Sequence, residues 1–383
     1  MTADVVPFRA EVSDQALDDL RDRLRRTRWP DREVVGDWSQ GVPLDYLHAL
    51  IQHWTDSYDW RERQAALDEL PQFRTTIDGV GIHFLHVRSP EPGALPLLLT
   101  HGWPGSFVEF TEVIGPLTDP AAHGGDPADA FHVVVPSLPG YGWSGHPIEP
   151  GWGIERIADV WAELMRRLGY DRYGAQGGDW GAAVTTCLGA QDVDHLVGVH
   201  LNLIRGFPER GQTEFTEAEQ VAIATGLHYQ EWEAGYSLQQ TTRPQTVGYG
   251  LADSPVGQCA WILEKFWAWS DCDGDPVAAF GADRLLDNIT IYWLSNSAAS
   301  SARLYWESFR AKRSSQIGVP VGLTMFPKEI LQVPRHWAER AYPTLQYWSQ
   351  PDRGGHFAAF EQPAIFTDEV RGFFRLVREG RVA

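Results

Sequence analysis

Basic charge is scarce in this chain. Its 383 residues carry 32 Lys and Arg against 51 Asp and Glu, a formal net charge of −19. A nucleic-acid surface needs a basic face, so partners of that kind are excluded. Lysine occurs only at Lys265, Lys312 and Lys328. Arginine codons are GC-rich and lysine codons AT-rich, which points to a high-GC bacterial gene. Cysteine is equally rare. Cys187, Cys259 and Cys272 are odd in number and far apart, which fits neither a disulfide framework nor a zinc site. No metal and no cofactor is expected. Long apolar runs are missing too: no window reaches the roughly 18 residues of a membrane span. Met1 to Val12 lacks the basic-then-apolar pattern of a secretory signal, so a cytoplasmic protein without a membrane anchor is expected. Gly-x-Ser-x-Gly is absent as well, since Gly142-Trp143-Ser144-Gly145-His146 lacks its final glycine.

What is present is ordinary globular composition, 43% hydrophobic and 12% aromatic, with 17 tryptophans that fill a core or line an apolar pocket. No internal repeat appears. Residues 1–70 read as amphipathic helices. Ser13 caps one that carries Leu17, Leu20 and Leu24 and ends at Trp29-Pro30, and a second follows Pro43. Too little apolar surface is available there for independent folding, so this region is expected to wrap a larger core. From Phe73 the period changes. Phe73–Ile77 and Ile82–Val87 flank Asp78-Gly79, a hairpin signal. Buried-strand candidates follow at 95–100, 131–135, 173–176, 196–203, 319–325 and 345–349, with helices such as 154–168 between them. This alternation implies an α/β fold with a mostly parallel sheet flanked by helices, over 71–205 and 317–383. Between them, 206–316 reads as a helical cap. Thr216 to Glu219 forms a capping box, Ser254-Pro255 opens another helix, and Leu285–Phe309 continues helical.

Gly177-Gly178-Asp179-Trp180-Gly181 lies between a strand and a helix. Its small residues permit a sharp elbow that exposes the central side chain at the sheet's carboxyl edge. The centre is aspartate where serine is usual; a plain helix N-cap is the competing reading. His101-Gly102-Trp103-Pro104-Gly105 follows the preceding strand, either as a tight turn or as one half of an oxyanion hole. In the latter case the backbone N–H groups of Trp103 and Trp180 supply the donors. His356 follows the last strand, and nucleophile, acid, histidine is the chain order of one hydrolase architecture. Glu329, after the strand before last, suits the acid. Asp352 is its rival but reads better as a turn residue.

On these motifs, together with Gly354-Gly355-His356-Phe357, Ser254-Pro255-Val256-Gly257, Ile262 to Phe266 and Arg28-Trp29-Pro30, the chain resembles the epoxide hydrolases of the microsomal type along essentially its whole length. The resemblance implies the α/β-hydrolase fold with an inserted helical cap and a helical N-terminal extension. Membrane-bound animal members begin with an apolar anchor; residues 1–12 show no such run, so a relative without that anchor is expected. The resemblance also implies that Tyr236 and Tyr305 of the cap grip the epoxide oxygen, with Tyr249 a weaker rival to Tyr236.

The implied chemistry accounts for these residue types. An epoxide opens by attack at carbon and releases a basic alkoxide. The carboxylate of Asp179 can attack carbon and form an alkyl ester, while two phenols donate to the alkoxide. His356, oriented by Glu329, then activates water against that ester. The expected partners are a small-molecule epoxide, aromatic or bulky, and water; a homodimer is left open. Relatives in natural-product pathways suggest an aryl epoxide intermediate. Two alternatives stand beside this reading. A haloalkane dehalogenase shares the aspartate–tryptophan pair but needs no tyrosine pair. A non-catalytic ligand carrier on the same fold would have no use for the full set.

Overall fold

The computed structural model describes residues 4–309 and 316–382; residues 310–315 of the expected cap, Lys312 among them, lie outside these. The hairpin forms as its sequence dictates. β2 (Gln72–Ile77) and β3 (Val80–Val87) pair antiparallel, and Asp78 (φ 50°) and Gly79 (φ 78°) are both left-handed, as a tight two-residue turn requires. A short strand that the sequence reading missed, β1 (Val6–Pro7), adds to the outer edge of β2. β4 (Leu95–Thr100), β5 (Phe131–Pro136), β6 (Tyr173–Gly177), β7 (Leu196–Leu201), β8 (Val321–Thr324) and β9 (Leu345–Ser349) complete a nine-stranded sheet in the order β1-β2-β3-β5-β4-β6-β7-β8-β9. From β5 to β9 all neighbours are parallel. β8 is shorter than expected because Pro320 has no amide for the ladder.

The chain reverses its direction of travel across the sheet at β4: β5 lies on one side of it and β6 on the other. Loops leaving adjacent parallel strands at such a switch point part from each other, and a crevice opens at their carboxyl ends. The two glycine-rich motifs leave β4 and β6 at that point. The helices Ile154–Arg167 and Asp179–Gln191 pack side by side on one face, and Thr111–Thr118 and Pro363–Arg378 pack together on the other.

Two local expectations are corrected. The first helix spans Asp14–Arg25 and stops before Trp29-Pro30, because the Thr27 hydroxyl donates to the carbonyl of Leu24 at 2.8 Å and closes the end earlier. The stretch Leu285–Phe309 is two helices, Ala282–Leu294 and Ser297–Ser308, broken where Asn296 turns left-handed (φ 53°). Among the described residues, 206–309 contains no strand.

The N-terminal helices grip this inserted segment through polar contacts. Tyr46 donates to Asp275 at 2.6 Å, His53 meets Asp283 at 2.6 Å, and Arg23 binds Asp253. At the centre Asp287 is buried. It accepts from Tyr58 at 2.9 Å and from the Arg63 guanidinium at 2.6 Å. Burial raises its pKa and Arg63 opposes the rise. Arg63→Met would leave that carboxylate buried without its cation. We expect a loss of about 3 kcal/mol, read as a lowered urea midpoint. An unchanged midpoint would mean that the clamp contributes nothing to stability.

Candidate active site

Asp179 is the first residue of its helix and sits at φ 49°, in the left-handed region. A non-glycine residue held there stores strain, and the surroundings must enforce it. Three glycines do so. A β-carbon on Gly181 would lie 1.9 Å from the carbonyl oxygen of Thr100, one on Gly177 2.2 Å from that of Gly181, and one on Gly102 2.3 Å from the β-carbon of Asp179. The elbow is therefore clamped between β6, its own helix and the loop after β4. The Trp103 N–H donates to Asp179 Oδ1 at 2.9 Å. The Trp180 N–H lies in the first turn of the helix, among the amides that lack an intrahelical acceptor.

His356 and Glu329 arrive on two loops zipped together. The Lys328 N–H donates to the carbonyl of Gly354 at 3.0 Å, and the His356 N–H to that of Trp269 at 2.9 Å. His356 Nδ1 is 2.6 Å from Glu329 Oε1, and its Nε2 is 3.4 Å from Asp179 Oδ2. Both side chains are buried. Burial opposes a charge on the imidazole, but the carboxylates of Glu329 and Asp179 outweigh it and hold its pKa well above the usual value. Asp352 is exposed on a turn and takes no part.

Tyr236 and Tyr305 come from the helices Gly235–Thr242 and Ser297–Ser308 and are buried, with hydroxyls 3.4 Å apart. The ring of Tyr236 stacks on Trp103 at 4.7 Å, and that of Tyr305 meets Trp180 edge-on at 4.8 Å. Burial drives both phenols well above their ordinary pKa, and Asp179 acts in the same direction, so both are neutral donors at physiological pH. Asp179, Tyr236 and Tyr305 line one cavity of about 270 Å³. Its walls include Trp180, Leu203, Phe309 and Tyr342. Tyr249 is 70% exposed and outside it. Two neighbours escaped sequence reading: Tyr229, whose hydroxyl is 3.2 Å from that of Tyr236, and Trp269, whose ring lies 5.1 Å from His356. Nothing local distinguishes either from a core aromatic.

An acidic side chain on a strained strand-to-helix elbow, with a carboxylate and a histidine following in chain order at the carboxyl edge of a parallel sheet, defines an α/β hydrolase. Residues 96–258 match the alpha/beta hydrolase fold family, and residues 5–110 match the family described as epoxide hydrolase N terminus. The sequence is 38% identical to epoxide hydrolase 1 of Oryctolagus cuniculus, over 97% of this chain and 89% of that protein. It is 54% identical to a Stigmatella aurantiaca protein provisionally named an epoxide hydrolase, over 98% of this chain and 86% of that one. The structure of Aspergillus niger epoxide hydrolase superposes with a TM-score of 0.88 at 34% identity, covering 98% of this chain and 97% of that one. The chain belongs to the epoxide hydrolases of the microsomal type. No helix among the described residues is long and apolar enough to cross a membrane.

The elbow's geometry makes a sharp prediction. Gly181→Ala puts a methyl group into the Thr100 carbonyl and is expected to cost about 3 kcal/mol or more. Gly178→Ala, whose β-carbon meets nothing closer than Asn202 at 3.8 Å, should melt like the parent. Equal melting temperatures for the two variants would contradict the account of the elbow.

Proposed function

We propose that this enzyme converts an aromatic or otherwise bulky epoxide to a vicinal diol through an alkyl ester on Asp179. One observation carries the reading: a carboxylate stands at the elbow, and two buried neutral phenols share its cavity. A serine there would serve acyl chemistry. An aspartate opposed by hydroxyl donors serves attack on an alkyl carbon whose oxygen must leave. The second carboxylate oxygen stays bound by the Trp103 amide while the first attacks carbon. The C–O bond of the epoxide breaks, and its electron pair goes to the alkoxide held by Tyr236 and Tyr305, which provide the proton. The breadth of the apolar wall supports a bulky substituent.

His356 is the base of the second half. Water gives it a proton and bonds to the ester carbonyl carbon of Asp179. The oxyanion rests on the Trp103 and Trp180 amides, and collapse releases the diol. Its raised pKa in the free enzyme poses a problem for a base, and the first half-reaction resolves it. Esterification removes the negative charge of Asp179, one of the two groups that stabilise the imidazolium. Glu329 remains to orient Nδ1, and His356 becomes a better base only once there is an ester to hydrolyse.

Three outcomes test this. His356→Ala should open epoxide once and stall, giving the mass of enzyme plus substrate on the peptide that contains Asp179; an enzyme that never carries the adduct would refute the ester. Tyr236→Phe or Tyr305→Phe should slow the alkylation step by about 10²-fold in single-turnover experiments, with non-additive losses in the double variant. A double variant as fast as the parent would remove both tyrosines from the chemistry. The charge on Asp179 fixes the pH dependence. His356 loses its proton at higher pH in the free enzyme than in the ester, so the pre-steady-state hydrolysis rate should rise through a pKa below that found by NMR titration of free His356. Coincident values would show that Asp179 does not tune the base.

A further inference from the structure

Beneath Asp179, on the side away from the tyrosines, lies a second and much smaller cavity of about 20 Å³. That is room for one water molecule, and a water is stable in such a space only with two to four polar partners. The walls supply them. Asp179 and His356 line the cavity, together with Thr100, Gln176, Asn202 and Glu109. Thr100 Oγ1, Gln176 Oε1 and Asn202 Nδ2 are buried and have no hydrogen-bond partner among the described residues. Unpartnered polar atoms cost stability and are few in native structures, so three around one small chamber need a reason.

Glu109 is the informative member. It lies in the short turn Phe107–Phe110 after the loop that carries Trp103, and it is half-buried. Its Oε1 occupies the space beside Gly105: a β-carbon there would be 1.3 Å from it. The sequence thus keeps residue 105 bare so that a carboxyl from four residues later can fill its place. Burial pushes the Glu109 pKa up to about 8; His356 opposes the rise, while Asp179 and Glu361 add to it. A neutral carboxylic acid both donates and accepts, and a water held between it and an imidazole keeps a lone pair free for attack.

We propose that this chamber seats the water that hydrolyses the ester and that Glu109 is the residue that positions it, a reading that rests on the ester at Asp179. The water approaches from the chamber and gives its proton to His356 Nε2, and its oxygen bonds to Cγ of Asp179. The bond from Cγ to the alkyl oxygen then breaks, that oxygen takes the proton from His356, and the water's other proton passes from the regenerated Asp179 carboxyl to the tyrosine that protonated the alkoxide. Glu109 ends the cycle as it began. Its role is confined to the second half-reaction, which distinguishes it from Tyr236 and Tyr305 and from a group that merely supports the fold.

The test separates the two halves with styrene oxide in single-turnover and steady-state experiments. Glu109→Leu should alkylate at the parental rate but hydrolyse the ester about 10²-fold more slowly. The adduct should then accumulate by mass spectrometry, and kcat and KM should fall together. Glu109→Gln, which keeps a donor and an acceptor in place, should recover most of that loss. Gly105→Ala gives an independent check should the leucine variant fold poorly, since it leaves Glu109 intact but displaces its carboxyl, and it should slow the same step. Ester hydrolysis at the parental rate in Glu109→Leu or in Gly105→Ala would overturn the assignment, as would equal slowing of both half-reactions. Failure of the underlying reading looks different: the adduct would then be missing from His356→Ala as well.

Discussion

The turn at Asp179 leaves no space for a β-carbon on three sides, and much of the site follows from that constraint. Gly177 and Gly181 let the chain reverse from β6 into its helix, and Gly102 lets the loop after β4 come close enough for the Trp103 amide to reach the carboxylate. The strained left-handed backbone at Asp179 is held by this packing. The same tightness shapes the chamber on the far side, where Glu109 fills the space that Gly105 leaves. A carboxylate fixed in this way faces apolar aromatic walls and phenols in one direction, and unpartnered polar atoms in the other.

Electrostatics divide the labour between these two sides. Burial keeps Tyr236 and Tyr305 neutral, so they can donate to an alkoxide without first losing a proton. Burial alone would also keep His356 neutral, but two carboxylates counter it. In the proposed cycle one of those carboxylates vanishes as the ester forms, so the product of the first step prepares the base for the second. The N-terminal helices bear on this at a distance. Through Arg63 and Tyr58 on Asp287 they hold the helix Ala282–Leu294, which adjoins the one that carries Tyr305.

The features legible in the sequence were those governed by local rules. Asp78-Gly79 dictates a turn whatever surrounds it, and Thr216 with Glu219 closes its capping box within four residues. The glycines flanking Asp179 signal an elbow because no other residue fits. The end of the first helix was misjudged because a threonine hydroxyl acts before the proline does, and the break at Asn296 because an asparagine in mid-pattern gives no periodic signal. Glu109 was invisible for a different reason. A glutamate in a turn reads as a solvated surface residue, and only the approach of Asp179 from one distant segment and of His356 and Glu361 from another sets the charge that Glu109 feels. The polar clamp on Asp287 belongs to the same class: its partners Tyr58 and Arg63 lie more than 200 residues away in the chain.

The account's central claim is that the oxygen delivered to substrate comes first from Asp179 and not from solvent. A single turnover in ¹⁸O-labelled water with enzyme in excess tests it most directly. The claim predicts a diol with little label and incorporation of the label into the peptide that contains Asp179, because water attacks the ester carbonyl and leaves its oxygen in the carboxylate. Full labelling of the diol on the first turnover, with an unlabelled peptide, would mean that water attacks the epoxide directly and that Asp179 acts only as a base.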